Sequence, residues 1–321
     1  MKTQKNNSLA QKRKKDLIFY CCLIFIPLLQ VAIFYIGVNF RSILLSFQEF
    51  KTDGITYEYI IKQNGAFGNF KDVFVNLFTD AAMLVAMKNS AIAYVSGIII
   101  VLPLALVFSY YIMKKLPGSK FFRVILFMPS IICVVALTYI YSMVADQLVP
   151  EFIKFFSDNT IFKKSEYQLL ANADTRFGAV LFYGMFFGFA TNVLMYSSAM
   201  SGVSEEMIEA AHIDGITDFG ELIHIIIPSI FPTLTTFLVV GVAGFFTGTL
   251  NLVEFYGGSA DFSVSTIGYY MYKETALKAN PLVAKMNYPY LSAMGLVFTL
   301  FAAPMTLLVK YLLTKYGPSE E

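Results

Sequence analysis

The residues able to do chemistry in this chain are few, and most fall in one place. Six carboxylates, Glu205, Glu206, Glu209, Asp214, Asp218 and Glu221, lie between residues 201 and 228, where no Lys or Arg occurs. Both histidines, His212 and His224, share that stretch. Two histidines in one loop make neither a Ser/His/Asp array nor a metal centre. Cys21, Cys22 and Cys133 sit inside apolar runs, so no zinc site or disulfide framework is expected. The chain has no Gly-x-x-x-x-Gly-Lys-Ser/Thr phosphate loop, and any nucleotide must be held by another chain. No catalytic residue and no metal ligand is therefore assigned. An acidic, base-free segment would be repelled by anionic headgroups. Its expected chemistry is docking of a soluble protein partner.

A second set of polar groups lies within apolar runs, where an unsatisfied polar group is costly and marks a cavity or a protein contact. Gly244, Thr247, Gly248 and Asn251 follow the spacing of one helical face, and Gly188, Asn192 and Tyr196 follow it on another. Carboxamides offer both a donor and an acceptor to a hydroxyl-rich solute, and the Tyr196 ring offers a face for stacking. Small residues also permit close helix packing, with Thr and Asn bonding across helices. The sequence leaves both uses open. The candidate solute pathway is Asn192, Tyr196, Gly244, Thr247 and Asn251.

The elements that must position these groups are membrane spans. The 321-residue chain is 57% hydrophobic and only 14% charged, against about 25% charged in an average globular domain. Six apolar runs reach the roughly 20 residues that a helix needs to cross hydrocarbon. They cover about 17–38, 90–113, 121–144, 177–200, 229–253 and 289–313. Backbone groups in lipid must pair internally, so the expected class is an all-α polytopic membrane protein with six transmembrane helices. The alternating segments of a β-barrel do not occur. Residues 1–16 form a polar tail, read as disordered. The basic head of the first run fits a signal peptide, but its apolar core is long and no small-x-small site follows, so it is read as a retained span.

Basic residues crowd before the first run (Lys12, Arg13, Lys14, Lys15) and between the second and third (Lys114, Lys115, Lys120, Arg123). The excess of Lys and Arg marks the cytoplasmic side, which places both termini and residues 201–228 inside. Within that loop Ser204 is a candidate N-cap, with Glu205 and Glu206 in the favourable first turn. Ala210 and Ala211 propagate a helix, and Asp214-Gly215 make a turn in which glycine adopts a positive φ. A second short helix is expected from Thr217 or Asp218 to Ile227, stopping near Pro228.

These residues resemble a known signature. Glu209-Ala210-Ala211, then Gly215, then Ile225 and Pro228 match the EAA loop of permease subunits of bacterial ABC importers, with Ile227 where Leu is usual. Ile213-Asp214-Gly215 looks like the version found in sugar permeases. Glu254-Phe255-Tyr256-Gly257-Gly258, Ser265-Thr266 and Tyr269-Tyr270-Met271-Tyr272 are similar to a series in permeases like the membrane subunit of the maltose importer, with Ser259 replacing a Pro. Asn69-Phe70 resembles that family's Asn-Phe. The resemblance implies a type I importer permease domain over 17–316, of the MalF-like kind, in the bacterial cytoplasmic membrane. It implies coupling to the ATPase through Glu209, Ala210, Ala211, Asp214, Gly215 and Pro228. Implied partners are a MalG-like second permease, a dimer of ABC ATPases that binds ATP and Mg, an extracytoplasmic solute-binding protein docking on loops such as 254–288, membrane lipid and a carbohydrate solute. No nucleic acid is expected.

Other readings predict other residues. An ion-coupled secondary transporter would place carboxylates or histidines in its spans, and these hold almost none. A permease for glycerol phosphate or another anion would favour Arg or Lys there, and none is well placed. A permease for peptides stays open on these grounds.

Overall fold

Apolar runs of this length become helices because hydrocarbon offers backbone groups no other partner. The computed structural model describes residues 16–17, 19–52, 57–61, 65–156, 167–276 and 281–318. The polar tail thus lies almost wholly outside the described residues. In chain order the elements are α1 (Phe19–Leu45), β1 (Gln48–Thr52), β2 (Tyr57–Ile61), α2 (Gly68–Thr79), α3 (Ala81–Met113), α4 (Ser119–Ile131), α5 (Val134–Phe155) and α6 (Ala173–Met200). Then come α7 (Glu205–Ile213), α8 (Asp218–Glu221), α9 (Phe231–Thr247), α10 (Leu252–Tyr256), α11 (Ile267–Ala276) and α12 (Pro281–Tyr316). The chain divides into two units, Met1–Val73 with Lys285–Val297, and Phe74–Ala284 with Phe298–Glu321. The candidate sites lie in the second.

Among the described residues, five segments are long and apolar enough to cross a membrane, and a sixth crossing results if α4 and α5 count as one. Several expected boundaries shift for local reasons. The first span runs on to Leu45 and the last lies within the longer α12. The second begins at Ala81 rather than near 90, because the Asp80 carboxylate accepts from the Ala82 N–H at 2.9 Å. The fourth begins at Ala173, capped by the Asn172 side chain, which accepts from the Asp174 N–H at 3.1 Å.

The third span, expected as one helix over 121–144, is bent by 106° between α4 and α5. Pro129 lacks an N–H in the last turn of α4, and Ile132 and Cys133 are extended, with ψ of 141° and 133°. The fifth, expected as one helix over 229–253, breaks between α9 and α10. Gly248 is extended there, and Leu250 and Asn251 adopt φ of +50° and +57°.

Among the described residues the class is all-α apart from one hairpin that the sequence pattern did not reveal. β1 and β2 pair antiparallel, from Gln48 opposite Ile61 to Thr52 opposite Tyr57. Asn69, flagged by its resemblance, anchors the hairpin's start: its carboxamide donates to the Ser46 and Gln48 carbonyls at 2.9 and 2.8 Å.

In the second unit, two apolar clusters hold the helices toward opposite ends of α6. Val193, Tyr196 and Met200 join Ala105 and Tyr110 of α3 and Leu222 and Ile226 of the loop. Ala179 and Val180 join Ala145, Leu252 and Tyr269.

The Ser265–Tyr272 series proves to be a staple. The Asn89 carboxamide donates to the Ser263 and Ser265 carbonyls at 2.8 and 2.9 Å. The Tyr269 hydroxyl donates to the Gly257 carbonyl at 2.9 Å and accepts from the Ala260 N–H at 3.2 Å. Burial raises the Tyr269 phenol above its ordinary pKa, against the lowering effect of the Ala260 bond.

Candidate docking loop and span cavities

The loop between α6 and α9 is built from local rules. The Ser204 hydroxyl accepts from the Met207 N–H at 3.3 Å and caps α7, with Glu205 and Glu206 in the first turn. At the other end Gly215 has φ +79°. The Ile216 N–H donates to the Ala211 carbonyl at 3.2 Å and the Gly215 N–H to the His212 carbonyl at 3.1 Å. That bond pair with a left-handed glycine is a Schellman motif, which satisfies the last carbonyls of the helix. The spacing from Glu209-Ala210-Ala211 to Gly215 is therefore the geometry of a helix end.

Thr217 then caps α8, its hydroxyl accepting from the Gly220 N–H at 3.2 Å. The helix ends at Ser229, one residue past Pro228, where the sequence placed its stop. Before that end it widens to a π-type turn over Leu222–Ile226. The wider turn makes room for a proline ring that would otherwise press on the carbonyl four residues back.

Of the expected coupling residues, Glu209, Ala210, Asp214 and Gly215 are exposed, Pro228 is half-buried and Ala211 is buried. The loop also exposes large apolar side chains that composition and spacing do not single out: Ile213 is 86% exposed and Phe219 68%. Exposed acids beside exposed apolar groups form a surface suited to a protein partner.

The solute candidates do not gather in one place. Asn192, Tyr196 and Gly241 line a cavity of about 360 Å³ with Tyr94 of α3. Tyr94 and Ala93 also line a smaller adjoining one, of about 180 Å³, with Gly244 and Thr266. Asn251 lines a third, of about 350 Å³, with Pro129 and Ser130 at the bend of the third span and Tyr183, Phe187 and Thr191 of α6. The single helical face expected for Gly244 to Asn251 does not persist, because the helix ends at Thr247. Thr247 turns its hydroxyl back to the Ala243 carbonyl, at 3.1 Å. Tyr196 is buried, its ring edge-on to Phe237.

Asn192 and Asn251 behave differently. Neither carboxamide has a hydrogen-bond partner among the described residues, and neither is fully buried. A span amide left open in this way faces water, a solute or another chain. Leu250 also occupies a left-handed backbone region that costs a residue of its type about 1–3 kcal/mol and concentrates at functional sites, beside Asn251, whose type tolerates that region. Leu250 is held by close packing on Gly184, where an added Cβ would lie 3.2 Å from the Leu250 side chain. Sequence periodicity carries no sign of this strained break, nor of the placement of Tyr94.

Residues 102–317 match the model of the family described as binding-protein-dependent transport system inner membrane component. The multiple sugar-binding transport system permease protein MsmF of Streptococcus mutans is 22% identical over 281 residues, 85% of this chain and 87% of MsmF. The diacetylchitobiose uptake system permease protein NgcF of Streptomyces coelicolor is 24% identical over 254 residues, 75% of this chain and 70% of NgcF. Among solved structures, a chain of a bacterial alginate ABC transporter in complex with alginate pentasaccharide-bound periplasmic protein aligns with a TM-score of 0.71 at 14% identity. The alignment covers 97% of this chain and 99% of that one, so the two share a fold.

Proposed function

Because this chain belongs to the family of binding-protein-dependent transport system inner membrane components, we propose that it is the permease subunit of an ATP-driven importer whose cargo is an oligosaccharide. The observation that carries the reading is the loop: a capped helix ended by Gly215 presents Glu209 and Ile213 to solvent, and the short helix α8 after it presents Phe219. A carbohydrate cargo is supported by the names of MsmF and NgcF, by the alginate complex, and by two unpartnered carboxamides in spans otherwise poor in charge.

In this reading the loop faces the cytoplasm, as do both termini. A separate pair of ATPases holds α7 and, on closing over ATP, draws it toward the equivalent helix of a second, homologous permease. The spans then open outward to a solute-loaded binding protein, and reopen inward after hydrolysis. The solute passes the cavities lined by Asn192 and Asn251, whose amides exchange hydrogen bonds with its hydroxyls.

The test is reconstitution of the chain with its neighbouring permease, ATPase and binding protein in proteoliposomes. ATP-dependent uptake of an oligosaccharide is expected, and failure to accumulate any carbohydrate under these conditions would overturn the assignment. Asn192→Leu and Asn251→Leu should each lower uptake by roughly 2- to 10-fold, the worth of one ordinary hydrogen bond, with the ATPase still co-purifying. Undiminished uptake in both variants would remove these residues from the pathway.

A further inference from the structure

One charged side chain lies inside the protein with no role in the surface just described. Glu221 of α8 is wholly buried, and its Oε2 accepts from the Lys114 ammonium at 2.7 Å and lies 2.7 Å from His212 Nε2. Lys114 stands at the C-terminal end of α3, and its side chain is only 19% exposed. It also reaches His212 Nε2 at 3.2 Å and Asp218 Oδ1 at 3.8 Å. Tyr110, one turn back on α3, donates its hydroxyl to Asp218 Oδ1 at 3.5 Å. The residue after Lys114 is Lys115, held at φ +54° without being glycine. His212, Asp218 and Glu221 bring ligand atoms within 4.8 Å of one another, a spacing that would suit a metal ion. The ammonium of Lys114 is near all three, so the cation of this site is part of the chain.

The chain's connectivity gives this cluster its meaning. By backbone, the loop is joined only to α6 before it and α9 after it. It reaches α3 through side chains alone. Apolar contacts between Tyr110 or Ile112 and Leu222 or Ile226 belong to one cluster, and such contacts tolerate sliding. A buried ion pair does not, because separating it leaves a charge without water or partner, a far larger penalty than an imperfect apolar contact.

We propose that Lys114 and Glu221 form an ionic strut that fixes the loop to α3 in one register, so that a pull on α7 moves this span together with α6 and α9. Both are positioning residues for coupling rather than contacts of the ATPase. The proposal rests on the reading that α7 takes the ATPase.

The experiment uses the reconstituted importer and measures carbohydrate taken up per ATP hydrolysed. Lys114→Met and Glu221→Leu alone each strand a partner and should reduce the yield of assembled complex. The pair Lys114→Met with Glu221→Leu removes both charges and should restore assembly. Its uptake per ATP should nevertheless fall by about 2- to 30-fold, the range produced by substitutions along a coupling path. If the double variant does not assemble, Glu221→Gln, which keeps the shape and weakens the bond, should show a drop at the lower end of that range. Wild-type uptake per ATP in either variant overturns the strut. Failure of the underlying reading would look different: a Glu209→Lys importer would then take up solute at the wild-type ratio.

Discussion

Gly215→Val is expected to abolish ATP-driven uptake while Gly215→Asn leaves most of it intact. The contrast follows from the helix end. Gly215 has φ +79°, and a Cβ built there meets nothing within 4 Å. Space is therefore not the issue; conformation is. Asn and Asp enter the left-handed region readily, whereas a β-branched residue does not. Forcing Val there costs about 1–3 kcal/mol, and a nine-residue helix has little stability of its own to absorb it. The last turn should open and carry His212 away from Glu221. Because Asp also tolerates this region, Gly215→Asp should perturb the turn far less than Gly215→Val. Glu209→Lys acts on the exposed face, reversing a charge without touching the turn, and should lower both co-purification of the ATPase and uptake. Equal uptake by the Val and Asn variants would show that the left-handed turn is dispensable.

Gly268→Ala should leave little folded permease in the membrane. The reason lies where α11 crosses the end of α9. A Cβ on Gly268 would press on the Thr247 carbonyl oxygen, and would sit 2.7 Å from the Thr247 carbonyl carbon and 2.9 Å from the Gly248 oxygen. All three atoms are backbone, so no side chain can swing aside. Overpacking of a core typically costs 1–3 kcal/mol, occasionally more, and an immovable obstacle puts this site at or above about 3 kcal/mol. Moving α11 away would also lengthen the bond from the Thr266 hydroxyl to the Gly248 carbonyl, now 2.7 Å. The measurement is the yield and melting temperature of the detergent-solubilised protein. A variant as abundant and as heat-stable as the parent would mean that α11 does not pack as described.

What can be read from the sequence divides along a physical line. Ser204, Thr217 and Gly215 act within a few residues of themselves, so cap and turn chemistry alone locates both loop helices. The apolar runs locate the crossings for the same reason. Hydropathy, however, does not register a change of direction. It reads through Pro129 and Cys133 and through Gly248 and Asn251, since a bent or broken span stays as apolar as a straight one. The pairing of Lys114 with Glu221 is equally hidden. By sequence the lysine is one of several basic residues marking the inner side, and the glutamate one of six acids on a docking face. Their meeting depends on a separation of 107 positions along the chain. The Ser265-Thr266 and Tyr269 series stands out by its resemblance, but its work is to hold the 257–268 loop against α3 and α9.

The break between α9 and α10 has one further consequence. An unwound turn inside a crossing helix normally invites water, because hydrocarbon cannot satisfy its exposed carbonyls. Here the Thr266 hydroxyl donates to the Gly248 carbonyl at 2.7 Å and accepts from the Tyr269 N–H at 3.3 Å, and Thr266 is only 1% exposed. One side chain thus stands in for the solvent that this carbonyl would otherwise draw in. Gly248 can stay irregular without a file of water molecules behind it, so the turn beside the cavity lined by Gly244 and Thr266 need not become a leak for protons or ions between turnovers.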